Sequence, residues 1–131
     1  MKKIEIINQW DIARIFQELE QGNMRIPRFQ REYVWERSKI VKLLNSIIHS
    51  YPIGSFSLWE TDTSMEALVR NIPELNLPTQ AQSNRFVFIL DGQQRITSLY
   101  VAMKGKKLGD VDYSTICYNL DKKVFTIPRL K

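Results

Sequence analysis

The 131-residue chain has one cysteine, Cys117, and one histidine, His49. A lone cysteine excludes an intramolecular disulfide and a thiolate metal cluster, and a single histidine beside it excludes a metal site built from His and Cys by count alone. The reducing cytoplasm is the simplest home. Nowhere do roughly 18 apolar residues follow one another, so no membrane-spanning helix is expected. Met1 leads into lysines and a glutamate rather than an apolar stretch of signal-peptide length. Internal repeats and low-complexity tracts are also missing. What is there is 44% hydrophobic content. That is enough to bury about two thirds of the unfolded surface in one core, so residues 1–131 read as one domain.

The charge is uneven. Nineteen Lys and Arg face fourteen Asp and Glu, net +5, which leans toward phosphate-bearing partners without the density of a nucleic-acid coat protein. Residues 25–59 carry six basic side chains against two acidic, and residues 103–131 seven against three, while residues 60–84 carry one against four. Two basic blocks therefore flank an acidic stretch.

Periodicity predicts alternating helices and strands, an α+β chain. Asp11 can cap a helix with Ile12, Ile15, Phe16 and Leu19 on one face, and Gly22 sits where a left-handed residue ends it. Pro27 limits "MRIPRFQREYVWE" to a short edge strand and a structured loop. Ser38 starts the strongest helix, with Ile40, Leu43, Leu44, Ile47 and Ile48 on one side and Tyr51 and Pro52 at its end. "GSFSLWE" alternates with the period of a strand. Residues 61–84 are acidic and amide-rich, broken by Pro73 and Pro78, and read as a surface insertion or lid with one helical turn over 65–69. Residues 86–90 form a buried strand, and Ile96, Leu99, Tyr100 and Met103 a helix closed by Gly105. Residues 113–120 and 123–127 read as a hairpin around Asp121 and Lys122. The break in "FTIPRLK", with no helix to cover that hairpin, reads as the N-terminal part of a longer protein with an exposed apolar patch. His49 is expected to be a helix-terminal charge, Cys117 a small buried apolar residue, and Trp10 and Trp59 core packing.

Two stretches carry chemistry. In "FVFILDGQQRITSLY" a strand turns at Asp91 and Gly92 directly into a helix, which aims free N–H groups and the positive helix end at the sheet's carboxyl edge. Gly92 would let a phosphate reach the backbone, Gln93 and Gln94 offer amides, and Arg95 a guanidinium fork. Asp91 could hold a metal ion or a water. The spacing of Asp91 and Gln94 equally fits a capping box that needs no ligand. In "IPRFQREYVWERSKI", Arg28, Arg31 and Arg37 are interleaved with Phe29, Tyr33 and Trp35, a mixture that grips phosphates and stacks bases. The same pattern also fits a loop whose rings plug the core under solvated arginines. Gln30 with Arg31 repeats the Gln-Arg pairing of Gln94 with Arg95.

"IPRFQREYVW", "YPIGSFSLW" and "ILDGQQRITSL", in that order, resemble the three signatures of the GmrSD-type restriction-endonuclease N-terminal domain family. The resemblance implies a ParB- and sulfiredoxin-like fold, a small mixed β-sheet packed by helices around a nucleotide pocket. It implies NTP binding and hydrolysis in bacterial proteins that restrict modified or foreign DNA. Asp91, Gly92, Gln93, Gln94 and Arg95 match the nucleotide motif, and Pro27, Gln30 and Arg31 the first signature. A downstream helical or H-N-H nuclease domain would follow. Two readings result. In one, an NTPase holds phosphates at residues 92–95, with Gln30, Arg28 and Arg31 in the nucleotide site. Asp91 then orients Mg²⁺ or the attacking water, with Gln94 and Arg95 beside it. In the other, a module senses nucleotide or DNA without turnover. DNA would meet Arg28, Arg31, Tyr33 and Arg37.

Overall fold

A computed structural model describes residues 10–31, 33, 35–51, 54–80 and 83–128. Pro52 and residues 129–131, on which expectations about the end of the helix begun at Ser38 and about the chain end rested, lie outside them. Helix α1 spans Ile12–Glu20. Asp11 caps it by accepting from the Arg14 N–H at 2.8 Å, and Gly22, at φ +77°, closes it. Strand β1 follows at Met24–Arg25 and helix α2 at Arg37–Ile48. Helix α2 starts one residue before Ser38, on Glu36, which makes no side-chain cap bond. Strands β2 (Ser57–Asp62) and β3 (Arg85–Asp91) frame two 3₁₀ turns, Thr63–Leu68 and Pro73–Leu75. Helix α3, Gln93–Met103, leads to the short ribbon β4 (Lys107–Leu108) and β5 (Val111–Asp112), then to the hairpin β6 (Cys117–Asn119) and β7 (Val124–Thr126).

The main sheet has the order β1-β3-β2, with β1 parallel and β2 antiparallel to β3, so it is small and mixed as expected. Alternation along β3 sorts its residues between two apolar clusters. Ile89 joins the main core with Phe16, Leu19, Ile40, Leu43, Leu44, Ile96, Leu99 and Val101 from the three helices. Phe86 and Phe88 form a second cluster with Val69, flanked by Trp59 and Met65. Helix α3 is buried along most of its length, polar residues included.

The acidic stretch is stitched to the edge of the sheet. Val69 bridges Pro27, the Arg28 N–H donates to the Leu68 carbonyl at 2.6 Å, and the Arg70 N–H to the Ile26 carbonyl at 2.7 Å. These bonds cover the edge that β1 would otherwise present. Leu75, 2% exposed, enters the main core. Arg25, 4% exposed, donates from Nη1 to both Glu66 carboxylate oxygens at 2.8 Å, and its guanidinium lies over the Phe86 ring. Arg25 therefore belongs to the interior, although it stands in the basic block of residues 25–59.

Expectations near the chain end are met in part. The hairpin has a partner, since α2 packs against β7, Asn45 bonds both the N–H and the carbonyl of Phe125, and Tyr113 is buried. Tyr118 and Leu120 stay exposed, as the apolar-patch expectation had it. Cys117 is exposed rather than buried, because its short strand is at the surface. His49 ends α2 with Nδ1 on the Asn45 carbonyl, in keeping with a helix-terminal role. Among the described residues no helix is long and apolar enough to cross a membrane.

Candidate functional site

Strand β3 delivers an exposed Asp91 to the carboxyl edge of the sheet, and α3 departs immediately from it. The reversal needs a left-handed residue, and Gly92 supplies it at φ +92°, ψ 8°. Gly92, not Asp91, is the N-cap, and no side chain caps the helix. The capping-box reading of Asp91 and Gln94 is thus overturned: Asp91 is still in the strand, one residue too early for its carboxylate to take the cap position.

The glycine answers a second need. A Cβ at Gly92 would strike the Phe56 ring, so the space left by the missing side chain is filled by that ring. Approach to the first N–H groups of α3 is therefore confined to the side away from Phe56. Arg95 covers the same ring, its guanidinium carbon 4.5 Å from the centroid, and donates from Nη2 to the Ser55 carbonyl at 2.7 Å. A Cβ at Gly54 would meet Arg95 Nη1 at 2.7 Å, which explains glycine there too. Arg95 is a half-buried clamp on residues 54–56.

The loop at residues 27–31 is latched to this turn by amides. Gln30 Nε2 donates to the Leu90 carbonyl at 2.6 Å, and Gln93 Nε2 to the Arg31 carbonyl at 3.2 Å. From the other side, Arg70 Nη2 donates to the carbonyls of Arg28 and Gln30 at 2.9 and 2.7 Å. Gln93 and Gln94 are nearly buried, at 5% and 8% exposure. Arg28 and Arg31 are exposed beside them.

The structure thus brings together Asp91, Gly92, Gln93, Gln94, Arg95, Gln30 and the Arg31 carbonyl, while the exposed Arg28 guanidinium turns to the Ala67 carbonyl. It leaves two residues apart. The Tyr33 hydroxyl lies 2.9 Å from Ser98 Oγ, which itself donates to the Gln94 carbonyl at 2.6 Å, and its ring rests by Tyr113. Desolvation pushes the Tyr33 phenol above its ordinary value, with the Ser98 bond acting the other way. The ring is half-buried and packs against the main core. Arg37 is half-buried with Nη1 on Thr115 Oγ1 at 2.8 Å. Sequence reasoning missed Arg70 and Phe56. Nothing local marks either one, since Arg70 acts on carbonyls 40 and 42 residues away.

Among the described residues no three His, Cys, Asp or Glu side chains gather as a metal cluster. The exposed Asp91 carboxylate fits a cation that keeps several waters and takes its other ligands from phosphate oxygens, which is the habit of Mg²⁺.

An uncharacterized protein of Methanocaldococcus jannaschii is 34% identical over 87 residues, covering 63% of this chain and 15% of that protein. The chain thus spans a small part of that relative's length. Residues 12–128 match the family described as GmrSD restriction endonuclease, N-terminal domain. With nearly its whole length matched, the chain belongs to the GmrSD restriction endonuclease N-terminal domain family.

Proposed function

We propose that this chain is a nucleotide-binding, NTP-hydrolysing module of a cytoplasmic DNA restriction or anti-phage defence protein, working beside a downstream helical or nuclease domain. The carrying observation is the β3–α3 turn. A left-handed Gly92 joins the exposed Asp91 directly to the first turn of α3, and the amides of Gln30 and Gln93 latch the loop that carries Arg28 and Arg31 to the same turn. The phosphates would rest on the N-terminal N–H groups of α3, with the guanidinium groups of Arg28, Arg31 and Arg95 offsetting charge. A pocket of the ParB- and sulfiredoxin-like kind would then lie at the carboxyl edge of the small sheet. Mg²⁺, when bound, would neutralise phosphate charge and align the γ-phosphoryl group. Asp91 would hold that ion or orient the attacking water. Gln94 and Gln93 would keep the turn rigid.

The test is calorimetric titration with ATP, GTP and CTP in Mg²⁺, beside a phosphate-release assay and thermal melts. Asp91→Asn should spare binding more than hydrolysis, because an amide still accepts hydrogen bonds but brings no charge to the ion. Its melting temperature should hardly move, since the exposed carboxylate caps nothing. Arg95→Ala should weaken binding by about ten- to a hundredfold for one lost charge-assisted bond. It should also loosen residues 54–56. Absence of any binding at millimolar nucleotide would refute the pocket.

A second reading, nucleotide or DNA sensing without turnover, is favoured by the lack, among the described residues, of any group of three His, Cys, Asp or Glu side chains that could hold a metal ion. Binding without phosphate release would select it. For DNA, Arg28 and Arg31 are the exposed candidates, and replacing both should flatten the salt dependence of duplex binding, which runs at about −0.9 per phosphate contact.

A further inference from the structure

Three aromatic rings lie close together in "RFQREYVW", and the structure sorts them. Tyr33 and Trp35 pack against the main core. Phe29 does not: it is 58% exposed and meets Phe88 only edge to face, with centroids 6.1 Å apart and planes at 70°. Such a contact anchors a ring by its rim or one face and leaves a flat surface open. The position of this ring relative to the turn is fixed by the residues that follow it, Gln30 bonded to the Leu90 carbonyl and Arg31 receiving the Gln93 amide. Arg28 and Arg31, which flank it in sequence, are exposed. The other ring at the turn, Phe56, already has its face covered by the Arg95 guanidinium. Tyr51, also exposed, is stacked parallel on His49.

We infer that Phe29 is the base platform of the site: the nucleobase of a bound nucleotide stacks on its open face while the phosphates lie at the β3–α3 turn. This rests on the nucleotide reading above and adds its selectivity. Every base has a π-face, so stacking separates nucleotides from bare polyphosphate while discriminating weakly among bases.

The experiment is titration of the whole chain with MgATP and with magnesium tripolyphosphate, for wild type, Phe29→Ala, Phe29→Trp and Tyr51→Ala. Phe29→Ala should weaken ATP by about 5- to 150-fold, the range of one lost base stack, and leave tripolyphosphate unchanged. Phe29→Trp should keep ATP affinity within a few-fold, and its added indole fluorescence should be quenched by ATP but not by tripolyphosphate. Tyr51→Ala should match wild type for both ligands. If wild type binds both ligands and Phe29→Ala binds ATP equally well, the platform is refuted while the phosphate site stands. If Phe29→Ala loses both ligands alike, the ring only supports the loop, and the inference also fails. If wild type binds neither ligand, the nucleotide reading falls and takes this one with it.

Discussion

Replacing Gly92 by alanine tests the turn at its tightest point. Two independent costs are expected. A residue with a Cβ at φ +92° leaves its preferred backbone region, worth about 1–2 kcal/mol. The new methyl also strikes the Phe56 ring, and forced overpacking of this kind costs about 1–3 kcal/mol. Together they amount to roughly 2–5 kcal/mol. Unfolding entropy of about 2.1 cal/mol/K per residue gives this chain roughly 0.28 kcal/mol/K, so the melting temperature should fall by roughly 7–18 °C. Urea denaturation of wild type, Gly92→Ala, Phe56→Ala and the double variant separates the two costs. Truncating Phe56 relieves the collision but not the backbone strain, so the double variant should be about 1–3 kcal/mol more stable than the sum of the single losses predicts. A Gly92→Ala loss below about 0.5 kcal/mol, or strict additivity, would refute the reasoning.

Arg70→Ala should release residues 27–31, so amide hydrogen exchange should accelerate there while the centre of α3 stays protected; unchanged exchange would remove Arg70 as the strut of that loop. Glu66→Gln should destabilise by about 1–3 kcal/mol, because it leaves the guanidinium of Arg25, with 3% side-chain exposure, without its countercharge, and 0.5 M salt should alter that loss little. A neutral outcome in urea melts would show that Glu66 only decorates the surface. Burial raises the phenol of Tyr33 above its ordinary 10.0, so the unfolded chain gives up that proton first, and stability should be full below about pH 10 and fall as pH rises further. Tyr33→Phe should make this alkaline decline shallower in urea midpoints taken from pH 8 to 11.5, with Tyr113 and Tyr100, also raised by burial, carrying what remains. An identical slope in the variant would locate the effect elsewhere.

What the sequence disclosed was whatever its neighbours along the chain control. Asp11 and Gly22 bracket α1 because a cap and a left-handed stop act within one turn. The apolar run 86–90 is strand because nothing polar interrupts it, and β1 is an edge because Pro27 cannot continue a ladder. Residue pattern left Asp91 open between cap and ligand, and the cap is excluded by one residue of register at Gly92 that periodicity does not fix. The acidic stretch looked detachable because its anchors are distant: Glu66 pairs with Arg25, Val69 with Pro27, and Leu75 reaches the core. No local window contains both members of any of these pairs. The interleaved arginines and rings were likewise sorted only by tertiary packing, which sent Tyr33 inward and left Phe29 outside.

The parallel pairing of β1 with β3, Met24 beside Val87 and Arg25 beside Phe88, joins segments nearly half the chain apart. Closing so long a stretch loses entropy before any contact rewards it, so this pairing belongs late in folding. On a ribosome, α1, β1 and the loop at residues 27–31 emerge well before the strand that gives them a partner. Until β3 arrives, Gln30 has no Leu90 carbonyl to hold and Arg25 has no Phe86 ring beneath it. The nascent loop therefore remains unformed, with its basic side chains unorganised, and the turn at Gly92 is completed in the same event that seats the loop against it.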